Sequence, residues 1–209
     1  MRIQKSGPPP SISLKCAIFV FLTFSVMMQG IARFMLKVCG WTCSAHTPDY
    51  KKSVLVVAPH TSNWDFVWGK LGYTALGRNA NFVIKQEWIN VPVLGYLLKK
   101  MGGIPVDRSK VSHFTDHIAE LYRQREAFNV AITPEGTRKR NPRWKRGFYH
   151  IAIKAQVPII LVTIDYGKKH MSLSAEFTPT GDEQADIKAV MNHFKDITPK
   201  HPENFSIGH

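Results

Sequence analysis

Val54-Leu55-Val56-Val57-Ala58 is an uninterrupted apolar run set between Lys51-Lys52 and Pro59. A strand apolar at every position has both faces buried, the condition of a parallel sheet covered by helices on each side. Further strand-like runs occur at Asn81–Lys85, Gly103–Val106, Asn129–Thr133 and Val157–Ile164. Helical patterns separate them, at 62–76, 91–100, 113–128 and 182–194. The strongest of these is 113–128, where Phe114, Ile118, Leu121 and Tyr122 recur at i, i+4, i+7 and i+8. Strands alternating with helices predict an α/β fold, with a largely parallel central sheet flanked by helices. A chain of 209 residues is long enough to bury one such core.

The N-terminal part follows a different pattern. Residues 1–15, which carry Arg2, Lys5 and Lys15, are rich in Pro and Ser and read as a disordered basic N-terminus. Cys16 to Ala32 is free of charge, and 16–45 reads as an apolar helix with its extension, an N-terminal helical membrane anchor. Seventeen helical residues span about 25 Å, short of the roughly 30 Å of a hydrocarbon core, so a spanning and an interfacial placement both stay open. No small-x-small cleavage site follows Met28, which favours a retained anchor over a signal peptide. Trp41 stands where an interfacial aromatic would stand. Residues 42–52, with Thr47-Pro48-Asp49, read as a linker into the domain of 46–209.

Charge narrows the partners. Lys and Arg number 28 against 15 Asp and Glu, a formal net charge of +13. Such an excess points to an anionic membrane, a phosphorylated substrate or a nucleic acid. Six of the cations fall within nine residues, Arg138 to Arg146, around Trp144, which suits either a lipid interface or stacking on a base. Cys16, Cys39 and Cys43 are an odd, clustered set, so they form no disulfide framework, and no Cys/His pair lies near enough for a zinc spacing. They imply a reducing compartment.

Two motifs follow strand ends, where open α/β sheets bind ligands. Pro59-His60-Thr61-Ser62-Asn63-Trp64-Asp65 puts an imidazole in a strand-to-helix turn and a carboxylate in the first helical turn. If Asp65 accepts a bond from one ring nitrogen, the other is free to take a proton. Ser62-x-x-Asp65 reads equally well as a capping-box variant. Thr133-Pro134-Glu135-Gly136-Thr137-Arg138 can offer a backbone N–H, a hydroxyl and a guanidinium to one phosphate, or it is a Pro-Gly turn with a solvated arginine. Gly102-Gly103-Ile104-Pro105-Val106-Asp107-Arg108 offers close backbone approach and another anion ligand, or only a loop around a short strand. P-loop, dinucleotide and nucleophile-elbow patterns do not occur.

In this order, the pieces resemble the glycerolipid acyltransferase superfamily typified by 1-acylglycerol-3-phosphate acyltransferase. The resemblance covers about 16–170 and rests on His60-x4-Asp65, Gly103 to Arg108, Glu135-Gly136-Thr137-Arg138 and the Val157-Pro158-Ile159 strand. Pro59, Thr133 and Leu161 depart from the residues common in the family at those places. The resemblance implies a fold with an N-terminal helical anchor. It implies that His60 deprotonates an acceptor hydroxyl, that Asp65 orients His60, and that no covalent acyl-enzyme forms. It assigns Arg108, Glu135, Gly136, Thr137 and Arg138 to the acceptor's phosphate. The donor would be acyl-CoA or acyl carrier protein, with no cofactor and no metal. The acceptor would be a lysophospholipid, lysophosphatidic acid by default and another lyso-lipid otherwise. Anionic membrane lipids would be partners, nucleic acid would not, and the place would be the cytoplasmic face of the inner (plasma) membrane. The competing reading is a non-enzymatic basic module that binds lipid or nucleic acid.

Overall fold

The computed structural model describes residues 14–106 and 114–208. Arg108 and residues 1–13 of the expected N-terminal segment lie outside them. Among the described residues seven strands form one sheet in the order β1-β7-β6-β2-β5-β3-β4: β1 Thr42–Ala45, β2 Lys52–Ala58, β3 Asn81–Lys85, β4 Gly103–Val106, β5 Phe128–Ile132, β6 Ile159–Asp165 and β7 His170–Phe177. β6, β2, β5, β3 and β4 run parallel. β7 pairs antiparallel with β6, and β1 runs parallel to β7 at that edge. Among the described residues seven α-helices accompany the sheet: α1 Leu14–Val38, α2 Trp64–Ala75, α3 Gln86–Ile89, α4 Leu94–Lys100, α5 Phe114–Gln124, α6 Gly147–Ala155 and α7 Glu183–His193.

Period-two alternation along the central strands divides two cores. Val54, Val56 and Ala58 of β2, with Ile159 and Leu161 of β6, meet α5, α6 and α7 through Ile118, Tyr122, Phe148, Ile151 and Val190. Leu55 of β2, with Ile160, Val162 and Ile164 of β6, meets α1 and α2 through Ala32, Leu36, Tyr73 and Ala75. Every residue of β6 is buried, the apolar Ile159 to Val162 and Ile164 together with the polar Thr163 and Asp165. Each large aliphatic or aromatic side chain buried in this way contributes about 1.5–3 kcal/mol. Gly72 lets α2 press on β7: a Cβ there would lie 2.7 Å from Met171 Sδ.

Several expectations are corrected. Residues 42–45 are not a linker but the edge strand β1. Trp41 is not an interfacial aromatic; it is 5% exposed and stacks on Trp68 at 4.6 Å. The helix expected over 113–128 ends at Gln124, because Phe128 is 1% exposed and opens β5, with the Arg125 guanidinium 4.5 Å over its ring. The helix expected over 91–100 is present as α4 but begins only at Leu94, and a further short helix, α3, precedes it across Asn90 to Val93, where Val93 has φ +64°. A Cβ on Gly95 would lie 1.9 Å from the Ile89 carbonyl oxygen, so only glycine permits the two helices to approach this closely. α6 and β7 carry no expectation from the sequence.

Among the described residues no helix is long and apolar enough to cross a membrane. α1 turns Ala32 and Leu36 into the core, and Arg33 Nε donates to the Ala75 carbonyl at 2.9 Å. Its outward side exposes Met27, Ile31, Phe34 and Val38.

Candidate active site

The carboxyl ends of three adjacent strands build the site. β2 ends at Ala58 and feeds Pro59-His60; β5 ends at Ile132 and feeds Thr133-Pro134-Glu135; β6 ends at Asp165 and feeds Tyr166. Because β2 lies between β5 and β6, these three turns are neighbours.

After β2 the chain turns sharply into α2. Asp65 sits in the first helical turn, 2% exposed, and folds back over the turn. Its Oδ2 accepts the N–H of Thr61 and of Ser62, each at 2.8 Å, and lies 3.2 Å from His60 Nδ1. Its Oδ1 accepts the Tyr166 hydroxyl at 2.7 Å. Both readings of Asp65 hold together: the carboxylate ties down the turn and also faces the imidazole. A carboxylate at Nδ1 favours the tautomer with the proton on that nitrogen and leaves Nε2 as the base. The His60 side chain is 20% exposed, so the imidazole is partly open to solvent. Burial pushes the Tyr166 phenol upward, and its bond to Asp65 and the carboxylate's charge add to this, so it stays a donor to Asp65.

Glu135 is 1% exposed, and its Oε1 accepts the backbone N–H of His60 at 2.6 Å. Its role as a phosphate ligand is therefore corrected: the carboxyl faces inward and holds the His60 backbone. Burial raises its pKa to about 7, the His60 N–H opposes the rise, and the nearby Asp65 charge adds to it. Gly136 is required twice over. Its φ is +67°, and a Cβ would lie 2.7 Å from Lys145 Cε, whose stem crosses the turn. The Thr137 hydroxyl accepts the Lys139 N–H at 3.2 Å and keeps its own proton to donate. Arg138 is exposed and its Nη1 donates to Asn63 Oδ1, so the glutamate and histidine turns are joined a second time.

Trp144 serves neither a lipid interface nor a base. It is 6% exposed, packs on Phe194 and Phe205, and donates from Nε1 to the Ser206 carbonyl at 3.2 Å. The cations around it stay exposed at Lys139, Arg140, Arg143 and Lys145.

Sequence reasoning missed Tyr166 and the wall behind it, where Trp41 meets the Tyr166 ring edge-on at 5.1 Å. The signal was available: Tyr166 follows a buried strand as His60 does. Among the described residues no group of three or more His, Cys, Asp or Glu side chains could hold a metal ion.

A His–Asp pair at the carboxyl mouth of an α/β sheet, with a guanidinium beside it, is equipment for general-base group transfer near an anion. The Acyltransferase family model matches residues 33–165, and the chain belongs to that family. An uncharacterized acyltransferase of Schizosaccharomyces pombe is 32% identical over 124 residues, 56% of this chain and 43% of that one. A 1-acyl-sn-glycerol-3-phosphate acyltransferase of Haemophilus influenzae is 33% identical over 113 residues, 52% of this chain and 46% of that one. The aligned part thus spans less than half the length of these relatives. The crystal structure of the 1-acyl-sn-glycerophosphate acyltransferase PlsC from Thermotoga maritima has the same fold, with a TM-score of 0.56 at 16% identity, covering 82% of this chain and 76% of that one.

Proposed function

We propose that this protein transfers a fatty acyl group from acyl-CoA or acyl carrier protein to the free hydroxyl of a lysophospholipid, with lysophosphatidic acid the leading acceptor and phosphatidic acid the product. The observation that carries this reading is the His60 Nδ1–Asp65 Oδ2 contact of 3.2 Å at the mouth of the sheet, beside Arg138. His60 Nε2 takes the acceptor's hydroxyl proton as the oxygen attacks the thioester carbonyl. The tetrahedral intermediate collapses, the C–S bond breaks, and the imidazolium returns the proton to the leaving sulfur. Base catalysis of this kind contributes about 10²–10⁴-fold. Arg138, Thr137 and, from the family resemblance, Arg108 take the phosphate of the acceptor.

The place of work is an anionic bilayer at the cytoplasmic face. Two apolar surfaces support it: the outward side of α1, and the α3–α4 pair, which exposes Trp88, Val91, Val93, Tyr96 and Leu97 next to Lys99 and Lys100. A solvated monomer rarely exposes so many large apolar groups in one short stretch. α3 follows directly from the carboxyl end of β3, on the same side of the sheet as His60. Basic residues beside apolar ones suit an anionic lipid surface.

The test is acyl transfer by the purified protein in lipid vesicles supplied with oleoyl-CoA and lysophosphatidic acid, read by mass spectrometry. The wild type makes phosphatidic acid, and His60→Ala makes none at an unchanged melting temperature. An active His60→Ala protein would refute the mechanism.

A further inference from the structure

The family match ends at residue 165, yet the chain continues past α7 and returns to the mouth of the site. This C-terminal strap is pinned along its length. The Thr198 carbonyl accepts the Tyr166 N–H at 2.8 Å. Gly167 admits the crossing, since a Cβ there would lie 2.9 Å from Thr198 Oγ1. The His201 N–H donates to Thr61 Oγ1 at 3.2 Å, directly beside His60. A 3₁₀ turn at Pro202–Asn204 follows, and the Ser206 carbonyl then accepts the Trp144 Nε1–H. The strap therefore ties the end of β6, the histidine turn and the basic loop together.

Lys200 stands on the pinned stretch between Thr198 and His201. It is exposed, and its ammonium lies 5.3 Å from the centre of the Trp64 ring. Trp64 follows Asn63, the residue that receives Arg138. Two cations from distant parts of the chain thus meet the same short turn, Asn63-Trp64, which is flanked by His60 and Asp65. The carboxylates around this turn face other groups. Asp65 and Glu135 are buried on backbone N–H groups, and Glu203 Oε1 lies 3.5 Å from His201 Nδ1.

Resting on the acyl-transfer reading, we propose that Lys200 is a specificity residue of the acceptor site, holding the phosphate monoester of the lysolipid jointly with Arg138. The ring of Trp64 holds the ammonium when the site is empty. The flexible stem of lysine then lets the ammonium reach a phosphate brought in beside Arg138. The strap gives this chain an anion ligand that its matched family region does not contain.

The test uses the purified full-length protein with Lys200→Met, which keeps the apolar stem, and Lys200→Arg, which keeps the charge. Binding of hexanoyl-lysophosphatidic acid is measured by calorimetry without donor, and KM and kcat are measured separately. Lys200→Met weakens binding three- to tenfold, a range set by the exposure of the ammonium, and raises the acceptor KM equally with kcat within twofold. Lys200→Arg restores both. A monoacylglycerol acceptor and the acyl-CoA KM show no change. Failure of the wild type to bind the probe overturns the site. So does an unchanged Lys200→Met protein, an equal loss with monoacylglycerol, or a shift confined to the donor. A wild type that binds the probe and transfers no acyl group refutes the transfer reading and leaves this anion site standing.

Discussion

Glu135→Gln isolates the energetic consequence of burying a carboxyl group against the His60 backbone. Glutamine has nearly the same shape and keeps an oxygen to accept the His60 N–H, but it cannot ionise. In the folded protein burial raises the Glu135 pKa from its ordinary 4.5 to about 7. A raised acid pKa means that the folded state holds its proton more tightly than the unfolded chain does. The stability this brings is complete below about 4.5 and is lost as pH rises through about 7. At about 1.4 kcal/mol per pH unit, the loss reaches about 3 kcal/mol by pH 8, once both states are ionised. The wild type should therefore lose that much stability relative to Glu135→Gln between pH 4.5 and pH 8, with the variant gaining on it steadily. Urea denaturation of both proteins at half-unit intervals measures the gap. A gap constant across this range would refute the reasoning, because it would mean that Glu135 titrates alike in the folded and unfolded chains.

Tyr166→Phe removes the hydroxyl on Asp65 Oδ1 and leaves the ring against Trp41. It should cost about 1 kcal/mol of stability and lower kcat roughly tenfold with KM little changed, as chemical denaturation and steady-state kinetics would show. The double change Val93→Asp with Leu97→Asp puts two charges on the exposed α3–α4 face. It should abolish most flotation of the protein with phosphatidylglycerol-containing vesicles at an unchanged melting temperature; undiminished flotation would remove that face from the membrane reading.

The legible part of the fold was the part in which burial is total. β2 and β6 carry the continuous apolar runs Val54–Ala58 and Ile159–Val162, which a helix-covered parallel sheet explains, and both lie at the centre of the sheet. The edge was harder to read. β1 has only four residues, three of them polar or thiol-bearing, and its pairing with β7 depends on a chain segment about 130 residues away, which no local pattern encodes. β7 alternates Met171 and Leu173 with Ser172 and Ser174, a period-two signal present in the sequence but overshadowed by the apolar runs around it. α6 opens directly from the basic cluster, so its start is hidden by Arg143, Lys145 and Arg146. The tryptophans show the limit of composition most clearly. Trp41 and Trp144 each sit among cations and glycines in the chain, where an interfacial role is a reasonable inference. Tertiary packing buries both, because a ring of that size beside a sheet mouth gains more from the core than from solvent.

At the site, the sequence pointed to the turns after β2 and β5, which the sheet order makes neighbours, but it gave no hint of where the Glu135 carboxyl would face. A glutamate next to Gly136, Thr137 and Arg138 reads as part of an anion cradle, yet an anion cannot favour an anionic ligand. The structure instead joins Glu135 to the histidine turn through a backbone N–H, a partner with no side-chain signature. The same holds for Tyr166 and for the strap, whose bonds to Asp65 and Thr61 cross 101 and 140 residues. The His60–Asp65 pair is therefore not an isolated motif of neighbouring residues. Its geometry depends on three strand ends and on a C-terminal segment outside the family match. Substitutions at Glu135 or Tyr166 should consequently disturb catalysis through the position of the imidazole, and altered kcat with retained acceptor KM is the pattern that separates this effect from loss of a phosphate ligand.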